Sequence, residues 1–355
     1  MALTCGIVGL PSVGKTTFFK LLTGADVSVG TYADQANVEI ANIPDWRIDW
    51  FKELYQPKKT TYAQLQLIDI PGLKTDGGSR EFLSQVGKAD ALVHVVRAFS
   101  DEQVFHINSD VNPMRDLDTV NSELLLADLQ LVETRIERIK STKKITPEME
   151  KELGIMEKLK EGLEQEKRLS TMTLAAEMSE MIDQMNFVTD KPMIVVINID
   201  EEQLHDGYQQ QDDLSHYCRE NNIFMLEICA QVEMEINELP KEEREEFLSD
   251  LGINEPGISR LAATIYDTLG LISFLTVGKD EVRAWPIRVG LNAKQAAGKI
   301  HSDIARGFIR AEVVAFEDFY RAGSMDAVKE QNLQRLEGKE YIVNNGDVMN
   351  FRFNV

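Results

Sequence analysis

The eight residues Gly9-Leu10-Pro11-Ser12-Val13-Gly14-Lys15-Thr16 fit the pattern G-x-x-x-x-G-K-[ST]. Its two glycines let the backbone curl until successive N–H groups and a helix N-terminus converge on one point, the arrangement with which a chain receives a phosphate. A lysine at that point neutralises terminal phosphate oxygens, and the neighbouring hydroxyl can ligate Mg²⁺. Ser12, Val13, Gly14, Lys15, Thr16 and Thr17 are therefore the expected phosphate-contacting positions, with Lys15 also assisting the chemistry. Further along, Asp69-Ile70-Pro71-Gly72 gives D-x-x-G. Asp69 is expected to hold Mg²⁺ through water, beside Thr16, and the Gly72 N–H to sense a γ-phosphate.

The residue after that glycine limits the chemistry. Leu73 stands where Ras-like enzymes keep a glutamine that orients the attacking water, and a leucine cannot polarise water. Hydrolysis is then slow, or another group reaches the γ-phosphate: His94, His106, a partner's residue or a bound cation. His94 lies inside an apolar run and reads as a satisfied core histidine. His106 falls in the polar stretch after it, at the strand end where ligands bind in such sheets, and is the favoured catalytic candidate. Base choice is expected at Asn198-Ile199-Asp200-Glu201. Against the guanine signature N-K-x-D, Ile199 replaces the lysine and Glu201 the aspartate, which breaks that signature without by itself specifying adenine.

These residues need a scaffold, and the apolar runs supply one. Cys5 to Gly9, Leu65 to Ile70, Ala91 to Val96, Met193 to Ile199 and Phe224 to Ala230 are short, apolar runs separated by helical stretches. Such alternation predicts an α/β fold with a parallel sheet and helices on both faces. Between the third and fourth runs, Leu125, Leu129, Val132, Ile136 and Ile139 recur at steps of four and three, and Leu153, Met156, Leu159 and Leu163 follow a break at Thr146-Pro147. This pattern predicts an inserted antiparallel helical hairpin. From about Ile272, short alternating runs and scattered glycines predict a small α+β domain. Within it Asn345-Gly346 reads as a tight hairpin turn between Tyr341–Val343 and Val348–Phe353.

A chain of 355 residues exceeds one ordinary core. No apolar run is long enough to span a membrane and the first residues lack a basic leader, so a cytoplasmic protein is expected, with no membrane or DNA partner. Cys5, Cys218 and Cys229 have no metal-ligand spacing and read as core residues. The net charge of -21 is uneven: residues 270–355 carry 12 Lys+Arg against 11 Asp+Glu, leaving 26 and 48 of the totals of 38 and 59 for the rest. The near-neutral C-terminal part is the one suited to approach RNA.

Nearly the whole chain resembles the YchF family, the Obg-related ATPases with a GTPase fold. The resemblance is carried by Cys5-Gly6-Ile7-Val8-Gly9-Leu10-Pro11, His94-Val95-Val96-Arg97, Val111-Asn112-Pro113, Glu281-Val282-Arg283-Ala284-Trp285, Gln295 to His301, Gly307 to Ala311 and Gly346 to Phe351. It implies a nucleotide domain at 1–120 and 188–271, a coiled-coil-like helical insert at 121–187, and a ubiquitin-like β-grasp (TGS) domain at 272–355. It also implies slow, Mg²⁺-dependent hydrolysis of ATP in preference to GTP through an N-x-x-E base motif matched by Asn198 and Glu201. The family histidine proposed to replace the glutamine is matched by His106. Ribosomes, engaged through the TGS and helical domains, are the implied partner, in translation or stress responses. Two stretches depart from the family pattern: Ala33 replaces the switch-I threonine unless Thr31 substitutes, and the glycine-rich switch II is shortened to Lys74-Thr75-Asp76-Gly77-Gly78-Ser79-Arg80. These departures favour one alternative, a nucleotide-gated binding protein with little hydrolysis; a second, an Obg-type GTPase, is disfavoured by Ile199 and Glu201.

Overall fold

The computed structural model describes residues 3–25, 36–73, 79–172 and 185–354. Thr31, Ala33 and the stretch 74–78, where the sequence departs from the family pattern, lie outside them. Seven strands occur first: β1 (Thr4–Val8), β2 (Asn37–Ile43), β3 (Lys59–Thr61), β4 (Ala63–Asp69), β5 (Ala91–Arg97), β6 (Met193–Asn198) and β7 (Phe224–Ile228). Five follow: β8 (Leu271–Thr276), β9 (Glu281–Arg288), β10 (Phe308–Ala315), β11 (Arg335–Glu337) and β12 (Asp347–Phe353). The helices of most consequence are α1 (Lys15–Thr23), α2 (Trp46–Tyr55), α3 (Ser79–Val86), α4 (Pro113–Lys140) and α5 (Pro147–Glu164).

Two compact units are formed, Met1–Ile40 with Gln66–Leu261, and Ala41–Leu65 with Ala262–Val355. In the first, the sheet order is β2-β4-β1-β5-β6-β7, and β1 pairs in parallel with β4 and β5, as do β5 with β6 and β6 with β7. Every residue of β5 and β6 is buried, the mark of strands covered on both faces. The expected α/β class with a parallel sheet is what is observed. The register sets Ile7 beside Asp69, Val8 beside His94 and Arg97 beside Asn198. Consequently the loops that follow β1, β4, β5 and β6 all leave from one sheet edge, the carboxyl edge at which such sheets bind ligands.

The helical hairpin is present, but α4 begins at Pro113 rather than near Asn121. Asn112 supplies the reason: its side chain accepts from the Arg115 N–H at 3.1 Å, and Pro113 presets the first helical residue. Val132 and Ile136 of α4 pack with Ile155, Met156, Leu159 and Leu163 of α5 in one buried cluster. Ion pairs Arg135–Glu152 (2.5 Å) and Lys160–Glu133 (2.6 Å) flank it. Each is partly exposed and contributes little beyond orientation.

In the second unit the sheet order is β11-β10-β12-β8-β9-β3, with β8 antiparallel to β9 and β12 returning parallel to β8. A helix at 293–300, closed by a capping box between Asn292 and Gln295, lays Ala293, Ala296 and Ala297 on Phe274, Ile287, Val313 and Met349. Residues 41–65 join this unit, whereas the sequence reading placed all of 1–120 in the nucleotide domain. Two contacts explain the difference. β3 adds to the free edge of β9, Lys59 beside Glu281, and α2 sets Trp50 and Phe51 against Phe316 and Phe319. The expected hairpin around Asn345-Gly346 is not formed. Gly346 turns with φ +86°, but Ile342 makes only an isolated bridge to Asn292, and β12 pairs with β10 and β8 instead.

All three cysteines are buried and free. No helix among the described residues is long and apolar enough to cross a membrane.

Candidate active site

The loop between β1 and α1 is shaped by left-handed residues, Ser12 at φ +61° and Gly14 at φ +103°. Gly14 has a second reason to be glycine, since a Cβ there would lie 2.4 Å from Asn198 Nδ2. That amide, at the end of β6, donates to the Val13 carbonyl at 3.0 Å, while its Oδ1 accepts from the Ala230 N–H at 3.2 Å. Asn198 therefore ties the loop to two neighbouring strand ends. Among the described residues no side chain caps the N-terminus of α1. Its leading N–H groups, which have no intrahelical acceptor, remain for an anion.

Lys15 is buried, and its Nζ donates to the Leu10 carbonyl at 2.7 Å and the Gly9 carbonyl at 3.2 Å, inside the curl of the loop. Burial pushes its ammonium down to about 8, with the Asp69 charge opposing. Thr16 Oγ1 donates to Asp69 Oδ2 at 2.8 Å. Burial also raises the Asp69 carboxyl above its ordinary range, against the opposing pull of Thr16, Lys15 and Asn37. Asp69 leads straight into a turn that runs against the phosphate loop: a Cβ on Gly72 would meet the Pro11 nitrogen at 2.8 Å and its Cα at 3.0 Å. The Leu73 N–H closes the turn on the Gly9 carbonyl at 3.3 Å. Lys15 and Thr16 from one stretch thus meet Asp69 and Gly72 from a distant one at one sheet edge.

Residues 4–129 match the family model described as a 50S ribosome-binding GTPase, and residues 271–354 match YchF-GTPase_C, described as a protein of unknown function. The ribosome-binding ATPase YchF of Bacillus subtilis is 42% identical over 366 residues, covering 100% of both chains. That of Haemophilus influenzae is 40% identical, again over the whole of both. Among solved structures, the Schizosaccharomyces pombe YchF GTPase superposes with a TM-score of 0.88 at 31% identity, covering 99% of this chain and 97% of the other. The chain belongs to the YchF family.

Other expected residues of this YchF chain stand apart from that cluster or serve it differently. Leu73 is 5% exposed, so its side chain fills space in the core and offers nothing to water. Ile199 is buried and its N–H donates to the Ile228 carbonyl. Glu201 is exposed beyond the end of β6. Asp200, between them, accepts from the Ser100 and Gln203 N–H groups at 3.2 and 3.0 Å, which fixes the loop that presents Glu201. His106 is buried in the loop after β5, both ring nitrogens engaged: Nδ1 accepts from the Asn108 N–H at 3.1 Å, and Nε2 meets Asp116 Oδ2 at 2.8 Å. His94 is a core residue, but not the satisfied one expected, because its buried Nδ1 finds no hydrogen-bond partner among the described residues. Burial, then the charges of Arg168 and Lys15, push it down to about 3, so it stays neutral.

Three residues that hold the site together escaped the sequence reading. Arg97, wholly inside, donates to the carbonyls of Phe99, Asp101 and Val104 at 3.0–3.1 Å and stacks over the Phe99 ring, organising the loop that carries His106. Asn108 and Asp116 are the partners of that histidine. A charged residue ending an apolar strand, as in His94-Val95-Val96-Arg97, was the available signal for Arg97; Asp116 gave only the ordinary sign of an acid in a helix first turn.

Proposed function

We propose that this chain is a slow, Mg²⁺-dependent ATPase of the ribosome-binding YchF type. The observation that carries it is the convergence of Lys15, Thr16, Asp69 and Gly72 on the uncapped N-terminus of α1. Among the described residues no group of three or more His, Cys, Asp or Glu could enclose a metal alone. The Thr16 hydroxyl and Asp69 carboxylate, 2.8 Å apart, instead fit a hard cation that completes its shell with phosphate oxygens and water, as Mg²⁺ does. When bound there, Mg²⁺ would neutralise charge on the β- and γ-phosphate oxygens. The chain's own part is to receive the phosphates on the N–H groups of Ser12 to Thr17, to bring the Lys15 ammonium to them, and to let the Gly72 N–H report the γ-phosphate. His106 is the residue proposed to act on the attacking water. Binding to ribosomes, through the helical insert at 121–187 and the TGS-like C-terminal domain, would place the protein in the cytoplasm.

Base preference is proposed to reside in Glu201, with Asn198 holding the loop and buried Ile199 lining its side of the base site. Competition between ATP and GTP, each with Mg²⁺, tests this. ATP should bind at least about tenfold more tightly, the worth of one hydrogen bond to a charged group, and Glu201→Asp should narrow the ratio. Preference for GTP would instead support the Obg-type reading. The buried Leu73 and the engaged His106 favour one second reading, a nucleotide-gated binding protein that holds ATP without turning it over.

The depressed Lys15 gives a pH signature. A triphosphate needs the ammonium, so affinity should be flat below about pH 8 and fall as pH rises above it. The fall is at most about tenfold per pH unit, since binding above that pH takes up one proton. Titrations of ATP from pH 7 to 9 would read the slope, which a Lys15→Ala chain should lack.

A further inference from the structure

We infer that Asp116 is a positioning residue that latches His106 in reserve, and that this latch must open before His106 can act; the inference rests on the reading of His106 given above. The two side chains are 5% and 2% exposed, so their bond is made away from water. Because Nδ1 accepts the Asn108 N–H, the ring's proton sits on Nε2, and Nε2–H donates to Asp116 Oδ2. The other carboxylate oxygen, Oδ1, receives Arg115 Nε and Nη2 at 3.0 Å each and Asn108 Nδ2 at 3.2 Å. Arg115 is itself anchored on Asp110, through its carboxylate at 2.7 Å and its carbonyl at 2.9 Å.

A neutral imidazole has one donor and one acceptor, and here both are committed. A group acting on the attacking water must come within hydrogen-bond reach of it, so the ring cannot serve from this position. The preceding part of the loop does not depend on the latch, for Arg97 holds Phe99, Asp101 and Val104 independently. The bond can therefore open while residues 99–104 keep their place, the Asn108 contacts yielding with it. Asp116 lies in the first turn of α4, the helix that begins the inserted hairpin. A shift at the start of that helix moves Asp116, which couples the insert to the histidine.

The test is steady-state ATP turnover by the full chain carrying Asp116→Asn, His106→Ala, or both. An asparagine can still accept from Nε2–H, but without the charge that roughly doubles the strength of such a bond. Loosening the latch should raise kcat about fivefold with KM for ATP unchanged, and the gain should vanish in the double variant. Asn108→Ala, which removes only the Nδ2 support of Asp116 and keeps the backbone donor to Nδ1, should raise kcat about twofold and serves if Asp116→Asn fails to fold. A kcat that falls or stays level in Asp116→Asn and Asn108→Ala, with His106→Ala inactive, overturns the latch and leaves the role of His106 standing. Turnover unaffected by His106→Ala overturns both.

Discussion

Replacing Lys15 by alanine is expected to lower ATP turnover by about 10²-fold or more, the cost of deleting one preorganised group that stabilises transition-state charge. Among the described residues the buried ammonium makes no salt bridge and donates to the Leu10 and Gly9 carbonyls of the loop. Its depressed proton affinity means that the fold bears the charge at a cost. Removing the side chain should therefore leave thermal stability within a few degrees of the parent while phosphate chemistry is lost. Parallel measurement of Tm and phosphate release checks this. A large fall in Tm would mean that Lys15 is a structural tether of the loop, and unchanged turnover would remove it from the chemistry.

The second large effect is expected at Asn198, where a substitution disturbs structure and binding together. Its amide satisfies two backbone groups of different segments, the Val13 carbonyl and the Ala230 N–H, in a position only 4% exposed. Asn198→Ala orphans both, at about 1–3 kcal/mol for each buried group left without a partner, so a loss of about 2–6 kcal/mol overall is expected. Because the Val13 carbonyl belongs to the phosphate loop, ATP affinity should fall with stability. A thermal melt and an ATP titration on the same preparation measure both. If stability falls and affinity does not, Asn198 holds the sheet but does not shape the loop.

Much of this site could be read before any coordinates, and the reasons are local. The glycine pattern dictates a left-handed backbone at Gly14, and an apolar run before Asp69 dictates a strand that delivers it to the sheet edge. The stripe from Leu125 to Leu163 carries its own period and so announced two packed helices. What could not be read depends on distant partners. β3, Lys59-Thr60-Thr61, has no apolar pattern and is a strand only because the β9 edge accepts it. Ile342 has a strand-like sequence, but β12 finds better pairing with β10 and β8. The motif marks Asn198 as a base-reading residue, and only its two backbone partners show that its amide is spent on the loop. Likewise His106 was visible as a histidine at the right strand end, whereas its engagement by Asp116 depends on where α4 begins.

Slow Mg²⁺-dependent hydrolysis of ATP at the loop of Lys15 is measured as phosphate release from ATP by the purified chain, with Mg²⁺ and with the metal chelated. The expected result is slow multiple-turnover release that requires Mg²⁺ and is lost in Lys15→Ala. Saturable ATP binding with no phosphate released under either condition would contradict it, and would leave a protein that is gated by the nucleotide without consuming it.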